Sequence, residues 1–254
     1  MKATAVKNLE PSAALYSVDH LPESDGKPMG ETSKHVMLIV EALNALQEYF
    51  RDEPQIFVIG NVFVYFLDEN DQLSRVTPDI FVVRGVSKED RRVYAVEREG
   101  KAPDLIIEFT SKKTGKADQF KKKEVYAYLG VKEYFLFDPF GEYLWPRLQG
   151  YRLIAGQYIP IGGSKSRLLS EVLRLEVADE GSQLRFWDPR TQQLLCTHEE
   201  SEAEVKTGST ALKTEMKARQ SAETLLQKEA QARLAAKAEL AQLRAELQRL
   251  RGQG

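Results

Sequence analysis

The sequence predicts a mixed α/β domain followed by a separate, long C-terminal helix. Three observations carry this. An apolar stripe of helical period begins near residue 33 and gives way to short β-branched and aromatic runs. A further helical stretch, 115–129, stands between two strongly apolar strands. Residues 199–251 then lose every proline and aromatic and fill with Ala, Glu, Lys, Gln, Arg and Leu, a helix-former composition.

Residues 1–30 are polar and rich in Pro, Gly and Ser. They read as a loose leader, with Leu15, Tyr16 and Leu21 able to dock on the domain. Thr32 or Ser33 caps the first helix, which runs to about Phe50 and turns Val36, Ile39, Val40, Leu43 and Leu46 inward. Strands follow at 55–59 and 61–67, then a turn at Asp68-Glu69-Asn70-Asp71, a strand at 79–84 and a long connection. Strand 104–110, helix 115–129 and strand 132–138 come next, with Gly130 placed to end the helix. Glycines, aromatics and β-branched residues from Glu142 to Trp187 predict further antiparallel strands. The globular domain thus spans residues 31–195 and the helical tail 199–251. Leu240, Leu243, Leu247 and Leu250 step by 3, 4 and 3, a heptad seam that predicts self-association through a coiled coil, a dimer. A single solvated amphipathic helix is the alternative.

Composition excludes several classes. A hydrophobic content of 42% is too high for a wholly disordered chain. No apolar run approaches the ~20 residues of a membrane helix, and the N-terminus lacks a secretory core, so a cytoplasmic protein is expected. The single Cys196 rules out an intrachain disulfide and any multi-cysteine zinc site. Three histidines, His20, His35 and His198, form no H-E-x-x-H. Neither a dinucleotide fingerprint nor a phosphate loop occurs, and residues 162–166 (GGSKS) read as a turn. No G-x-S-x-G elbow occurs either.

Chemistry concentrates on the strands around Pro78-Asp79 and 103–110 (PDLIIEFT). Side chains alternate along a strand, so Asp104, Ile106, Glu108 and Thr110 share one face. Glu108 interrupts an apolar run, and a buried charge is costly unless paired or metal-bound. If the two strands pair antiparallel, one register sets Asp79 opposite Glu108. A hard divalent cation, Mg²⁺ or Mn²⁺, would relieve the repulsion of two carboxylates. Alternatively, Asp79 merely begins its strand and Glu108 meets a lysine or backbone donors. Lys112, Lys113, Lys116, Lys121, Lys122 and Lys123 come directly after. They form either a phosphate-attracting patch or a solvated helix face. Asp118, Lys122 and Tyr126 fall on one helical stripe, where an Asp118–Lys122 surface pair is an alternative to a role for Lys122 in a site.

Residues 102–139 (APDLIIEFTSKKTGKADQFKKKEVYAYLGVKEYFLFDP) closely resemble the signature of the Uma-two family of restriction endonucleases, within the PD-(D/E)XK nuclease superfamily. The likeness continues at 31–35 and at Thr77-Pro78-Asp79, and covers most of residues 30–195. It implies a restriction-endonuclease-like central mixed sheet flanked by helices. It implies a Mg²⁺ or Mn²⁺ site in which Asp79 and Glu108 match the two superfamily acids, and metal-dependent hydrolysis of a phosphodiester in nucleic acid, DNA foremost. The superfamily lysine falls at Thr110 here, a departure the family shares. Lys122 matches the family's helix-borne lysine, which could reach the same site. Asp104 and Ser111 match family positions of less defined role. A second class remains open: a catalytically inactive nuclease-like module that binds or assembles through its coiled-coil tail. The net charge of −2 fits either, since any contact with nucleic acid must then be local, at lysines such as Lys112, Lys113 and Lys116.

Overall fold

The computed structural model describes residues 21–24, 32–110, 116–163 and 166–197, with 200–201, 203, 206, 213–217, 219–227, 229, 231, 233–234, 237 and 244 of the tail. Two compact units divide the chain, Met1–His198 and Glu199–Gly254.

Helix α1 (Ser33–Tyr49) starts at Thr32, whose hydroxyl accepts the His35 N–H at 3.3 Å. That bond satisfies one of the donors that a helix start leaves unpaired. The buried stripe is His35, Leu38, Ile39, Ala42, Ala45 and Leu46. It is rotated from the expected one: Ile39 and Leu46 are inside, but Val40 is 43% exposed. Small alanines at 42 and 45 let the helix lie close to the sheet, which rotates the apolar valine outward.

Strands β1 (Ile56–Ile59), β2 (Val64–Leu67), β3 (Leu73–Val76) and β4 (Ile80–Arg84) follow. The Asp68 carboxylate shapes the β2–β3 turn by accepting the N–H groups of Asn70 and Gln72. The long connection contains β5 (Tyr94–Ala95) and the single-turn α2 (Val96–Glu99). Then come β6 (Leu105–Phe109), α3 (Lys116–Leu129) and β7 (Glu133–Phe137). Gly130 closes α3 at φ +76°, a conformation that costs glycine nothing. Strands β8 (Leu148–Ile154), β9 (Gln157–Pro160), β10 (Arg167–Ser170), β11 (Leu175–Glu180), β12 (Gln183–Asp188) and β13 (Gln193–Leu194) complete the unit.

The central sheet is mixed, in the order β1-β4-β6-β7-β8-β9. Only β6 and β7 are parallel, and α3 makes the crossover between them. Every residue of β6 and β7 is buried, as expected for strands covered on both faces. On one face, Ile80, Val82, Leu105, Ile107, Phe109, Phe135 and Phe137 meet α1 and the sheet β10-β11-β12-β13. On the other, Phe81, Val83, Ile106, Tyr134 and Leu136 meet Tyr126 and Val131, together with Val64, Phe66 and Tyr94 of the β3-β2-β5 sheet. Glu133 ties the layers together. Its buried carboxylate accepts from the Ser170 hydroxyl, the Glu171 and Val172 N–H groups and Arg152. Leu21 does dock, against Tyr65, Val93 and Ala95, and the Tyr65 hydroxyl donates to the Pro22 carbonyl at 2.7 Å.

In the second unit, residues 213–217 and 219–227 are helical, with Leu225 and Leu226 exposed. The leucine seam 240–250 lies outside the described residues. Among the described residues no helix is long and apolar enough to cross a membrane.

Candidate active site

Register places the two acids. β4 and β6 pair antiparallel through Ile80↔Ile107, Phe81↔Ile106 and Val82↔Leu105. One step further along the same ladder, Asp79 stands opposite Glu108. Both alternate with residues of the α1-side core, so both belong to the face covered by α3. Asp79 Oδ2 accepts the Phe109 N–H at 2.7 Å, which fixes the carboxylate at the end of β6. Asp79 is half-buried, whereas Glu108 is only 4% exposed.

α3 brings the partners of Glu108. Lys122 Nζ lies 3.0 and 2.9 Å from the two Glu108 oxygens, and the Tyr126 hydroxyl donates to Oε1 at 2.5 Å. Residues four apart on a helix share a stripe, so one turn of α3 delivers both donors. Burial, and then the negative Glu108, push the Tyr126 phenol well above its ordinary range, so it remains a donor. Lys122 therefore meets Glu108 across the sheet. The side chain of Asp118, the alternative surface partner, lies outside the described residues.

Beyond Glu108 on the same face, the buried Thr110 hydroxyl has no hydrogen-bond partner. The Tyr134 hydroxyl, also buried on the α3 side, has none either. Carboxylate and hydroxyl oxygens are the donor type that a hard divalent cation takes. Among the described residues no group of three His, Cys, Asp and Glu comes together. Asp79 and Glu108 are the residues that could hold such an ion. A cleft of about 820 Å³ opens alongside, bordered by Phe63, Arg75, Thr77, Lys121, Lys122 and Tyr128.

Asp104 is not part of this group. It lies at the opposite end of β6, about 13 Å along a strand from Glu108. There its carboxylate binds Lys132 at 2.7 Å, Lys101 at 2.9 Å and the Arg84 N–H at 2.8 Å. Burial alone would push this carboxyl up. The two lysines and the N–H outweigh it and hold the group below the ordinary carboxylate range. Ser111, Lys112 and Lys113 lie outside the described residues, as does the side chain of Lys116. Lys121 is exposed at the cleft. Lys123 instead lies 3.4 Å from the centroid of the Tyr151 ring, and burial lowers its pKa.

Two contributors escape a reading of the sequence. Tyr126 is visible on the Lys122 stripe, but its bond to Glu108 needs the angle at which α3 crosses the sheet. Gly60 looks only like a break in an apolar run. A Cβ there would collide with the Asp79 carbonyl oxygen, so the glycine lets β1 pass close beneath the acid.

The fold and site define an α/β protein with two carboxylates at the adjoining ends of neighbouring central strands and a lysine delivered by the crossover helix. The sequence matches the Uma2 family model, described as "Putative restriction endonuclease", over residues 23–225, and the chain belongs to that family. Among solved structures, the chain is similar to a protein of Anabaena variabilis ATCC 29413 described as "a putative nuclease belonging to DUF820". The two are 17% identical with a TM-score of 0.44, over 58% of this chain and 76% of that one. No curated protein matches the chain.

Proposed function

We propose that this protein is a metal-dependent nuclease that hydrolyses phosphodiester bonds, with DNA as its principal substrate. The observation that carries this reading is the juxtaposition of Asp79 and Glu108 at the adjoining ends of β4 and β6, in a chain whose family model is described as "Putative restriction endonuclease". Asp79 and Glu108 would hold Mg²⁺ or Mn²⁺. Held there, the ion supplies charge stabilisation for a phosphoryl oxygen and a more acidic water. Lys122 orients the Glu108 carboxylate, and its ammonium would add positive charge for a phosphate bound at the pair. Tyr126 fixes the same carboxylate from the protein side. Arg75, Lys121 and Lys122 border the cleft together with the acids Asp68, Glu69 and Glu124, so phosphate attraction falls to local cations, with Lys112, Lys113 and Lys116 following β6 in sequence as further phosphate contacts. The seam at Leu240, Leu243, Leu247 and Leu250 would pair two chains and so present two sites to two strands.

The Glu108–Lys122 ion pair also favours a second reading, because it neutralises the buried carboxylate without any ion. In that reading the domain is a non-catalytic module and the tail recruits its partner. Mn²⁺ binding separates the two. Calorimetric titration of the wild type should give a saturable site that Asp79→Asn and Glu108→Gln each weaken. A wild type that binds no more Mn²⁺ than either variant would point to the non-catalytic module.

A further inference from the structure

The loop joining β7 to β8 is built unlike an ordinary surface connection. The Asp138 carboxylate, fully buried, accepts four backbone N–H groups: Phe140 at 3.1 Å, Gly141 at 2.9 Å, Tyr143 at 2.6 Å and Leu144 at 2.9 Å. Arg147 closes the loop from the other side by donating to the carbonyls of Asp138 and Pro139 at 3.0 and 2.9 Å. Gly141 turns at φ +68° within it. A segment tied at so many points holds its shape. Yet this fixed loop presents Trp145 at 83% exposure and Phe140 at 41%. Large aromatics so placed forgo burial, the main favourable term available to them.

The loop's position gives the exposed rings a use. β7 is parallel to β6, with Glu108 level with Leu136 and Phe109 with Phe137. The Thr110 N–H donates to the Phe137 carbonyl at 2.8 Å, so the loop leaves the sheet at the end where Asp79 and Glu108 stand. Leu144, next to Trp145, packs on the cluster that contains Ile106, Tyr126 and Leu136, the face of Glu108. Phe140 reaches toward α1, where Lys34 Nζ lies 5.7 Å from its ring centroid. The rim therefore offers rigid ring faces at the end of the sheet where the carboxylate pair stands, with Lys34 beside Phe140 on the α1 side. Fully covered, the two rings would bury no more than about 500 Å². That falls short of the roughly 800 Å² per partner of a stable protein interface, but it is ample for a base.

We propose that Trp145 is a stacking platform for an unpaired nucleobase next to the scissile phosphate, so that the site takes a nucleic acid strand that is single-stranded or locally opened there. This rests on the nuclease reading and adds to it the conformation of the substrate. Base–aromatic stacking tolerates any base and needs no hydrogen-bond code.

Tryptophan fluorescence tests this directly, because the chain has only two tryptophans. In the full-length Trp187→Phe protein, Trp145 is the sole reporter. Short oligothymidylate, oligouridylate and a blunt duplex would each be titrated in EDTA. The expected result is saturable quenching by the single strands and weaker quenching by the duplex, and, read by anisotropy of a fluorescein-labelled strand, a loss of single-strand affinity of about 5- to 100-fold in Trp145→Ala. Trp145→Phe should recover much of that affinity. The DNA and RNA arms report which sugar the site prefers. Equal single-strand affinity in wild type and Trp145→Ala, with unchanged circular dichroism, would overturn the proposal. Quenching that depends on protein concentration without nucleic acid would assign the rim to self-association and overturn it too. Cleavage with Mg²⁺ keeps the two readings distinguishable. A wild type that cuts while Trp145→Ala cuts and binds equally well refutes the platform alone, whereas a wild type that neither binds nor cuts refutes both.

Discussion

Glu108 is a charge in a strand whose other residues are apolar, and among the described residues Lys122 and Tyr126 satisfy it. A buried carboxylate stripped of its cation is left with its desolvation penalty uncompensated. Lys122→Met should therefore cost about 1–3 kcal/mol in denaturant unfolding, and adding Glu108→Gln should restore most of that loss. Costs that simply add would show that the pair is not coupled. The charged interruption of an apolar strand is legible in the sequence, and so is the stripe that carries Lys122. The donor role of Tyr126 is not, since it depends on how α3 crosses the sheet.

Among the elements, register and close approach set the site. Asp79 is legible as a candidate because alternation and an antiparallel pairing leave few places for it. Gly60 is not, because close packing of one backbone on another leaves no trace in hydropathy. Gly60→Ala should destabilise the fold by about 1–3 kcal/mol through overpacking and lower metal affinity by displacing Asp79, as calorimetry would report. The strand β3 and the α2 turn escape the sequence for a different reason: they are short, and their exposed, polar sides blur the period. At the other end of β6, Asp104 joins three elements. Its folded pKa is depressed, so its contribution is complete above the ordinary carboxylate pKa and is lost as pH falls through the depressed value. Thermal melts should thus show stability dropping below about pH 4, with that part of the drop missing in Asp104→Asn. An identical pH profile in the variant would place the acid sensitivity elsewhere.

At the scale of the whole molecule, the chain divides at His198–Glu199, and its composition changes abruptly there too. Pairing through its leucine seam is a proposal that solution measurements test. Removing residues 199–254 should leave the melting of the first unit and its cleavage chemistry in place and reduce the sedimentation mass to that of a monomer. An unchanged assembly state would move self-association to the globular unit. In the proposed function, the Asp79–Glu108 pair makes this domain a nuclease. Incubating purified protein with supercoiled plasmid, in Mg²⁺ or Mn²⁺ against EDTA, tests it beside a folded Glu108→Gln variant. Metal-dependent nicking by the wild type and none by the variant is the expected result. Equal cleavage by both, or none by a folded wild type with either metal, would contradict it.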